Sequence, residues 1–182
     1  MEMSVVAIQG VRGSYSEEAT LRIMGEGTEI LECISFADTF VAIDSKLAEY
    51  AVLPVRNKIV GDIETPINLL RNSGLRVLDQ LPLQVRHVLA GTQDAEFEQL
   101  TSVRSHIEAL KQCAKFLSAH PHLTQLIGAD TASSIRGIAN GGIAEHGAIG
   151  SRRAAEIYGA KVLRENFADD NDNWTTFYLI GN

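Results

Sequence analysis

Short apolar runs alternate with stretches of helical periodicity along almost the whole chain, and few folds accept that rhythm. Val5-Val6-Ala7-Ile8, ending at Gly10, reads as a strand. Ser14 with Glu17 three residues later has the form of a capping box, opening a helix through Ile23. Glu29 to Ile34 suits a second strand. Phe36, Phe40, Ile43 and Leu47 recur at helical spacing and predict a helix that buries that face. Ala51-Val52-Leu53-Pro54 reads as a buried strand stopped by its proline. Thr65 and Pro66 have the character of an N-cap and first helical residue, with Ile67 and Leu70 turned inward.

From Val77 to Leu89 the chain reads as extended, interrupted by Pro82, and passes into a second lobe. A strand near Thr101-Ser102-Val103 precedes a helix with Ile107, Leu110, Ala114 and Leu117 on one face. Leu126-Ile127 is a strand, Thr131 to Ala139 a helix, and Ala148-Ile149 a buried strand. Arg152 to Tyr158 is helical and stops at Gly159. Val162-Leu163 and residues 174–180 close the chain. This pattern predicts an α/β protein with mainly parallel sheets, its ligands held at the carboxyl ends of strands or between lobes.

Composition narrows the function classes. The 182 residues suffice for one substantial domain or two small lobes. With 23 acidic against 16 basic residues the net charge is -7, which argues against a dedicated nucleic-acid or anionic-membrane surface. There is no apolar run of spanning length, and Met1-Glu2-Met3-Ser4 lacks the basic flank and apolar stretch of a signal peptide. Cys33 and Cys113 suggest neither a metal cluster nor a disulfide framework. The expectation is a cytoplasmic protein with reduced thiols, no cofactor, no metal, and no nucleic-acid or membrane partner.

Several polar residues fall where strands hand over to helices. Gly10-Val11-Arg12-Gly13-Ser14-Tyr15-Ser16 is a glycine-flanked turn before a helix N-terminus, suited to a carboxylate or simply to capping. Arg56-Asn57-Lys58 sets two cations around an amide, for an anion or for solvent. Ser105-His106-Ile107-Glu108 again resembles a capping box, which gives Ser105 a structural job. Gln112, seven residues on, could line the same wall as Ser105. His106 is either an acid–base group or a helix-start residue. Thr131 is read as an N-cap, and Cys113, among Leu110, Ala114 and Leu117, as a core residue. Asn173-Trp174-Thr175-Thr176-Phe177 places two hydroxyls at the mouth of the terminal apolar strand.

These junctions, in order and over essentially the whole chain, resemble the catalytic domain of the prephenate dehydratases. Gly10 to Glu17 looks like that family's glycine loop, and Tyr50 to Asn57 resembles its V-P-I-E-N segment. Ser105-His106 with Gln112-Cys113 resembles its S-H-P and Q-C pair, and Asp130-Thr131 its S-T segment. Ala148 to Ser151, through Ile157-Tyr158-Gly159, matches a further stretch. Asn173 to Phe177 falls at N-x-T-R-F. The resemblance implies two α/β lobes, periplasmic-binding-protein-like, with a ligand cleft between them. Lobe 1 would be about 1–80 plus 165–182, and lobe 2 about 81–164. It implies conversion of prephenate to phenylpyruvate with loss of water and carbon dioxide, on the way to phenylalanine.

Thr175 matches the family's acid-catalysis position. Ser14, Asn57, Ser105, His106, Gln112, Thr131 and Thr176 would surround the substrate, with Phe177 as an apolar wall. Thr176 stands where the family has arginine, and Arg56 where it has glutamate; Lys58, Ile107 and Asp130 also depart. Arg56 or Lys58 is therefore expected to take over anion binding. The resemblance further implies a homodimer or higher homo-oligomer. With no regulatory ACT domain or chorismate mutase in the sequence, no phenylalanine feedback through such a domain is expected. Two other readings stay open: a divergent lyase that decarboxylates without dehydrating, and a non-catalytic module binding a small anion.

Overall fold

The computed structural model describes residues 4–182. Met1 to Met3, most of the stretch read above for a signal-peptide pattern, lie outside the described residues. The chain divides into two compact units, Met1–Val85 with Asp172–Asn182, and Arg86–Asn171.

In chain order the first unit contributes β1 (Val5–Gln9), α1 (Tyr15–Met24), β2 (Glu29–Cys33) and α2 (Phe36–Asp44). It continues with β3 (Tyr50–Asn57), β4 (Gly61–Asp62), α3 (Glu64–Ser73) and β5 (Arg76–Gln84). The second unit holds β6 (His87–Gly91), a short 3-10 turn at Phe97–Gln99, β7 (Ser102–Ser105), α4 (Ile107–Gln112), α5 (Ala114–Ala119) and β8 (Thr124–Ile127). Then follow α6 (Thr131–Gly141), β9 (His146–Ser151), α7 (Arg152–Tyr158) and β10 (Lys161–Glu165). The chain returns to the first unit as β11 (Trp174–Gly181).

Each unit is built on one sheet. The first has strand order β2-β1-β3-β11-β5, with β4 paired to β3; the second has β10-β6-β9-β7-β8. Both sheets are mixed, where the alternation had predicted mainly parallel ones. Pairing is parallel for β1 with β2 and β3, and for β7 with β8 and β9, because helices cross over between those strands. β11 and β6 arrive without such crossovers and pair antiparallel to their neighbours.

Two core layers fill the first unit. Ala19 of α1 packs with Val6, Ile8, Val52, Leu83, Phe177 and Leu179 on one sheet face. Phe40 and Ile43 of α2 pack with Ala7, Leu53, Val55 and Ile180 on the other. The second unit buries Leu89, Leu100, Val103, Leu110, Leu117 and Ile149 together with Cys113, whose thiol burial pushes up to about 12.

Several boundaries differ from the pattern reading. Pro54 does not stop β3. It lies beyond the β1 pairing, and the register against β11 shifts at that point, so its missing N–H breaks no regular ladder. Pro82 likewise sits inside β5, which among the described residues pairs with β11 alone, and the chain leaves the first unit after Val85. Leu47 falls past the end of α2 and is exposed. Ile63, with no side-chain cap bond, precedes α3, so Thr65 and Pro66 sit within its first turn. The helix expected over 107–117 breaks at Cys113 into α4 and α5.

Candidate functional site

In the first unit the carboxyl ends of β1 and β3, the start of β11 and the N-terminus of α1 lie at one end of the sheet. Asn57 and Thr175 are register partners there. Asn57 Nδ2 donates to Thr175 Oγ1 at 2.9 Å and to Asn173 Oδ1 at 2.8 Å. Its Oδ1 accepts from the backbone N–H groups of Ile59 and Val60, at 2.9 and 3.0 Å. The amide is thus saturated and cannot rotate, and all three polar side chains are buried. Thr175 receives a hydrogen bond on its oxygen, and no acceptor for its own proton is found among the described residues. That leaves the hydroxyl proton available to an acceptor on a ligand.

Alternation along β11 puts Thr175, Phe177 and Leu179 on the face covered by α1, and Thr176, Tyr178 and Ile180 on the other. Three expectations change as a result. Phe177 is 2% exposed and belongs to the core below Thr175, so it is no wall open to a ligand. Thr176 pairs with Arg56 and Pro82 on the face away from Thr175, so the two hydroxyls do not act together. The two cations are already engaged. Arg56 Nε lies 3.6 Å from Asp62 Oδ1, and Lys58 pairs with Asp172, which also accepts from Trp174 Nε1. The Lys58 hydrogen bond holds the Asp172 carboxyl below its ordinary range. Each cation would meet an incoming anion with a carboxylate already beside it, and both side chains are more than half exposed.

Ser14 caps α1 by accepting from the Glu17 N–H at 3.2 Å. The Glu17 carboxylate, fully buried, takes the Gly13 N–H at 2.6 Å and Arg12 Nε at 3.0 Å. The glycine loop is thereby tied to the helix it opens.

In the second unit the carboxyl ends of β7 and β9 meet the start of β6 and the N-terminus of α6. Ser105, expected as a helix cap, is instead the last residue of β7 and donates from Oγ to the Ile149 carbonyl at 2.7 Å. His106 is the cap, its Nδ1 accepting from the Glu108 N–H at 3.3 Å, because β7 runs one residue further than the spacing suggested. Asp130 caps α6 through the Ser133 N–H at 2.6 Å. That releases Thr131 from the capping role assigned to it and leaves its hydroxyl at the start of the helix. Gln112 Oε1 lies 2.8 Å from His87 Nε2. Ser105 and Gln112 belong to a strand and a helix, so they do not share the helix face first expected.

His87 escaped the sequence reading, as did the anchoring role of Asn173. A lone histidine in an extended run and an asparagine before a strand carry no periodic signal. His87 is almost wholly buried, opposite Ser151 in the sheet. Burial pushes its imidazole below the ordinary 6.5, against the Gln112 hydrogen bond, which raises it. The folded form therefore holds neutral His87, while the unfolded chain gains its proton first as pH falls through 6.5. Stability should fall as pH drops from 7 towards 5, and His87→Gln should flatten that part of the slope. Urea midpoints across the range would measure it.

Gly150 sets how closely α6 approaches β9. A Cβ there would lie 2.7 Å from Ile135 Cδ1 and 2.9 Å from the Thr131 carbonyl oxygen. The side chain can yield but the helix backbone cannot, so Gly150→Ala should cost about 1–3 kcal/mol. Denaturant titration would measure that cost, and a rise in KM would accompany it if Thr131 binds substrate.

The family model for prephenate dehydratase matches residues 6–182. The chain is 34% identical, over 96% of its length, to arogenate dehydratase/prephenate dehydratase 1 of Arabidopsis thaliana, of which it covers 44%. It spans less than half the length of the curated relatives it matches. Among solved structures, the quorum-quenching acylase GqqA superposes with a TM-score of 0.86 at 29% identity, covering 97% of this chain and 63% of that one. A prephenate dehydratase from Arthrobacter aurescens in complex with L-Phe gives 0.88 at 22% identity, over 97% of this chain and 60% of the other. At that identity it supports the fold alone.

Proposed function

The chain belongs to the prephenate dehydratase family, and from that membership we propose that it is a carbon–oxygen lyase converting prephenate to phenylpyruvate in aromatic amino-acid biosynthesis. The observation that carries the proposal is the buried Asn57–Thr175 hydrogen bond, which occupies the Thr175 oxygen and leaves its proton available to donate. In the reaction the ring carboxylate leaves as carbon dioxide. Its bonding electrons enter the ring, and the ring C–O bond breaks. The departing hydroxide takes up one proton and leaves as water. Aromatisation supplies the driving force, so no strong nucleophile is needed.

A threonine hydroxyl is a weak acid. Its part is to donate a hydrogen bond to the leaving oxygen as negative charge develops there, from a position fixed before substrate arrives. Holding Thr175 through Asn57 avoids reorganisation at the moment of bond breaking. In the second unit Ser105, Gln112 and Thr131 are proposed as positioning and binding groups. Gln112→Leu is expected to raise KM roughly tenfold or more with a smaller change in kcat, since it removes an amide and leaves buried His87 without that partner. Steady-state kinetics would separate the two parameters.

Arogenate, in the names of several relatives, differs from prephenate in carrying an amino group where prephenate has a keto group. Purified protein given each acid should release an aromatic product, phenylpyruvate or phenylalanine, above the uncatalysed rate. No aromatic product from either would retire the proposal. The second reading, binding without turnover, is favoured by one feature: the motif arginine is Thr176, and the nearby Arg56 and Lys58 already lie beside Asp62 and Asp172. Saturable prephenate binding without product would select it.

A further inference from the structure

Along α6, from Ser133 in its first turn to Gly141 at its end, an open groove of about 230 Å³ runs beside β7, β8 and β9, with Arg104, Gly137 and Ile143 exposed. Its floor is set by register. His146 at the start of β9 lies opposite Ser102 at the start of β7, and Arg104 follows two residues along on the same face. Leu126, Ile138 and Ile143 supply apolar walls. Gly128 makes room for the arginine stem, since a Cβ there would lie 3.3 Å from Arg104 Cγ.

Arg104 differs from the other arginines of this unit. Arg86, Arg136, Arg152, Arg153 and Arg164 all hold a partner. The exposed Arg104 guanidinium has no hydrogen bond, ion pair or ring contact among the described residues, and neither does the His146 ring. A planar guanidinium with an imidazole and a hydroxyl beside it suits the two oxygens of a carboxylate. A phosphate would need more donors than these and would leave the apolar walls unused.

We infer that this cavity binds a small carboxylate with an apolar body, at a place separate from Ser105, Gln112 and Thr131. The size is below that of most drug-sized pockets, roughly 300–1,000 Å³, which points to a short branched or single-ring acid.

The test is calorimetric titration of the intact protein with isovalerate and phenylacetate, with isoamyl alcohol as neutral control. Backbone NMR of the same samples locates the site. Saturable binding of the acids is expected, with shifts centred on Gly137, Gly141 and Gly147. Isoamyl alcohol and the Arg104→Met variant should each bind roughly tenfold more weakly or worse. Gly137→Leu adds bulk to the cavity from the helix side, where a Cβ meets nothing within 4 Å, and should abolish binding. Absence of saturable binding, shifts elsewhere, equal affinity for the alcohol, or unchanged affinity in either variant would overturn the inference.

Discussion

Thr175→Val is expected to lower kcat for prephenate by roughly a hundredfold to a thousandfold, the cost of removing one preorganised donor from developing negative charge. Valine keeps the branched shape and deletes the hydroxyl, so KM should change little. The substitution also strands one N–H of Asn57, and a stability loss of about 1–3 kcal/mol should accompany the rate effect. Rates must therefore be compared where both proteins are folded. Thr175→Ser restores the hydroxyl and should recover most of the rate. A valine variant as fast as the parent would remove Thr175 from the chemistry.

Asn57→Leu should have the larger effect on folding. The amide joins the end of β3 to Asn173 and Thr175 and holds the turn through Ile59 and Val60. Leucine satisfies none of these groups. Solvent can reach the turn N–H groups, which are part-buried, so the loss should be about 3–5 kcal/mol, less than the sum of four buried bonds. Activity should fall to background. Asn57→Asp separates the two roles: its oxygen can still accept from the turn, but it cannot donate to Thr175. Urea midpoints should then recover part of the loss while kcat stays low.

Much of the fold was legible in the sequence because each strand and helix carries its own local signal. The spacing of Phe40 and Ile43, the Ser14 cap and the Gly159 stop are all local, and all fall where the pattern put them. Sheet direction was not legible, because it depends on how β6 and β11 enter their sheets. Proline misled twice: Pro54 and Pro82 lie within strands where regular pairing is shifted or one-sided.

The candidate residues are marked in the sequence by ordered motifs, while the geometry that joins them is not. Asn57 and Thr175 are 118 residues apart, and only the β3–β11 register brings them into hydrogen-bond contact. The same register turns Thr176 and Arg56 to the opposite face, which no count of charges in the motif could reveal. His87 was missed because its meaning lies in its partner Gln112, which is remote in sequence.

The most direct measurement of the central claim is the yield of phenylpyruvate and of carbon dioxide from the same sample of prephenate, after subtracting uncatalysed breakdown. Equal amounts of the two, formed by the parent protein and largely lost in Thr175→Val, are expected for decarboxylative dehydration assisted by that hydroxyl. Carbon dioxide accompanied by a non-aromatic keto acid, or saturable binding with neither product, would contradict it.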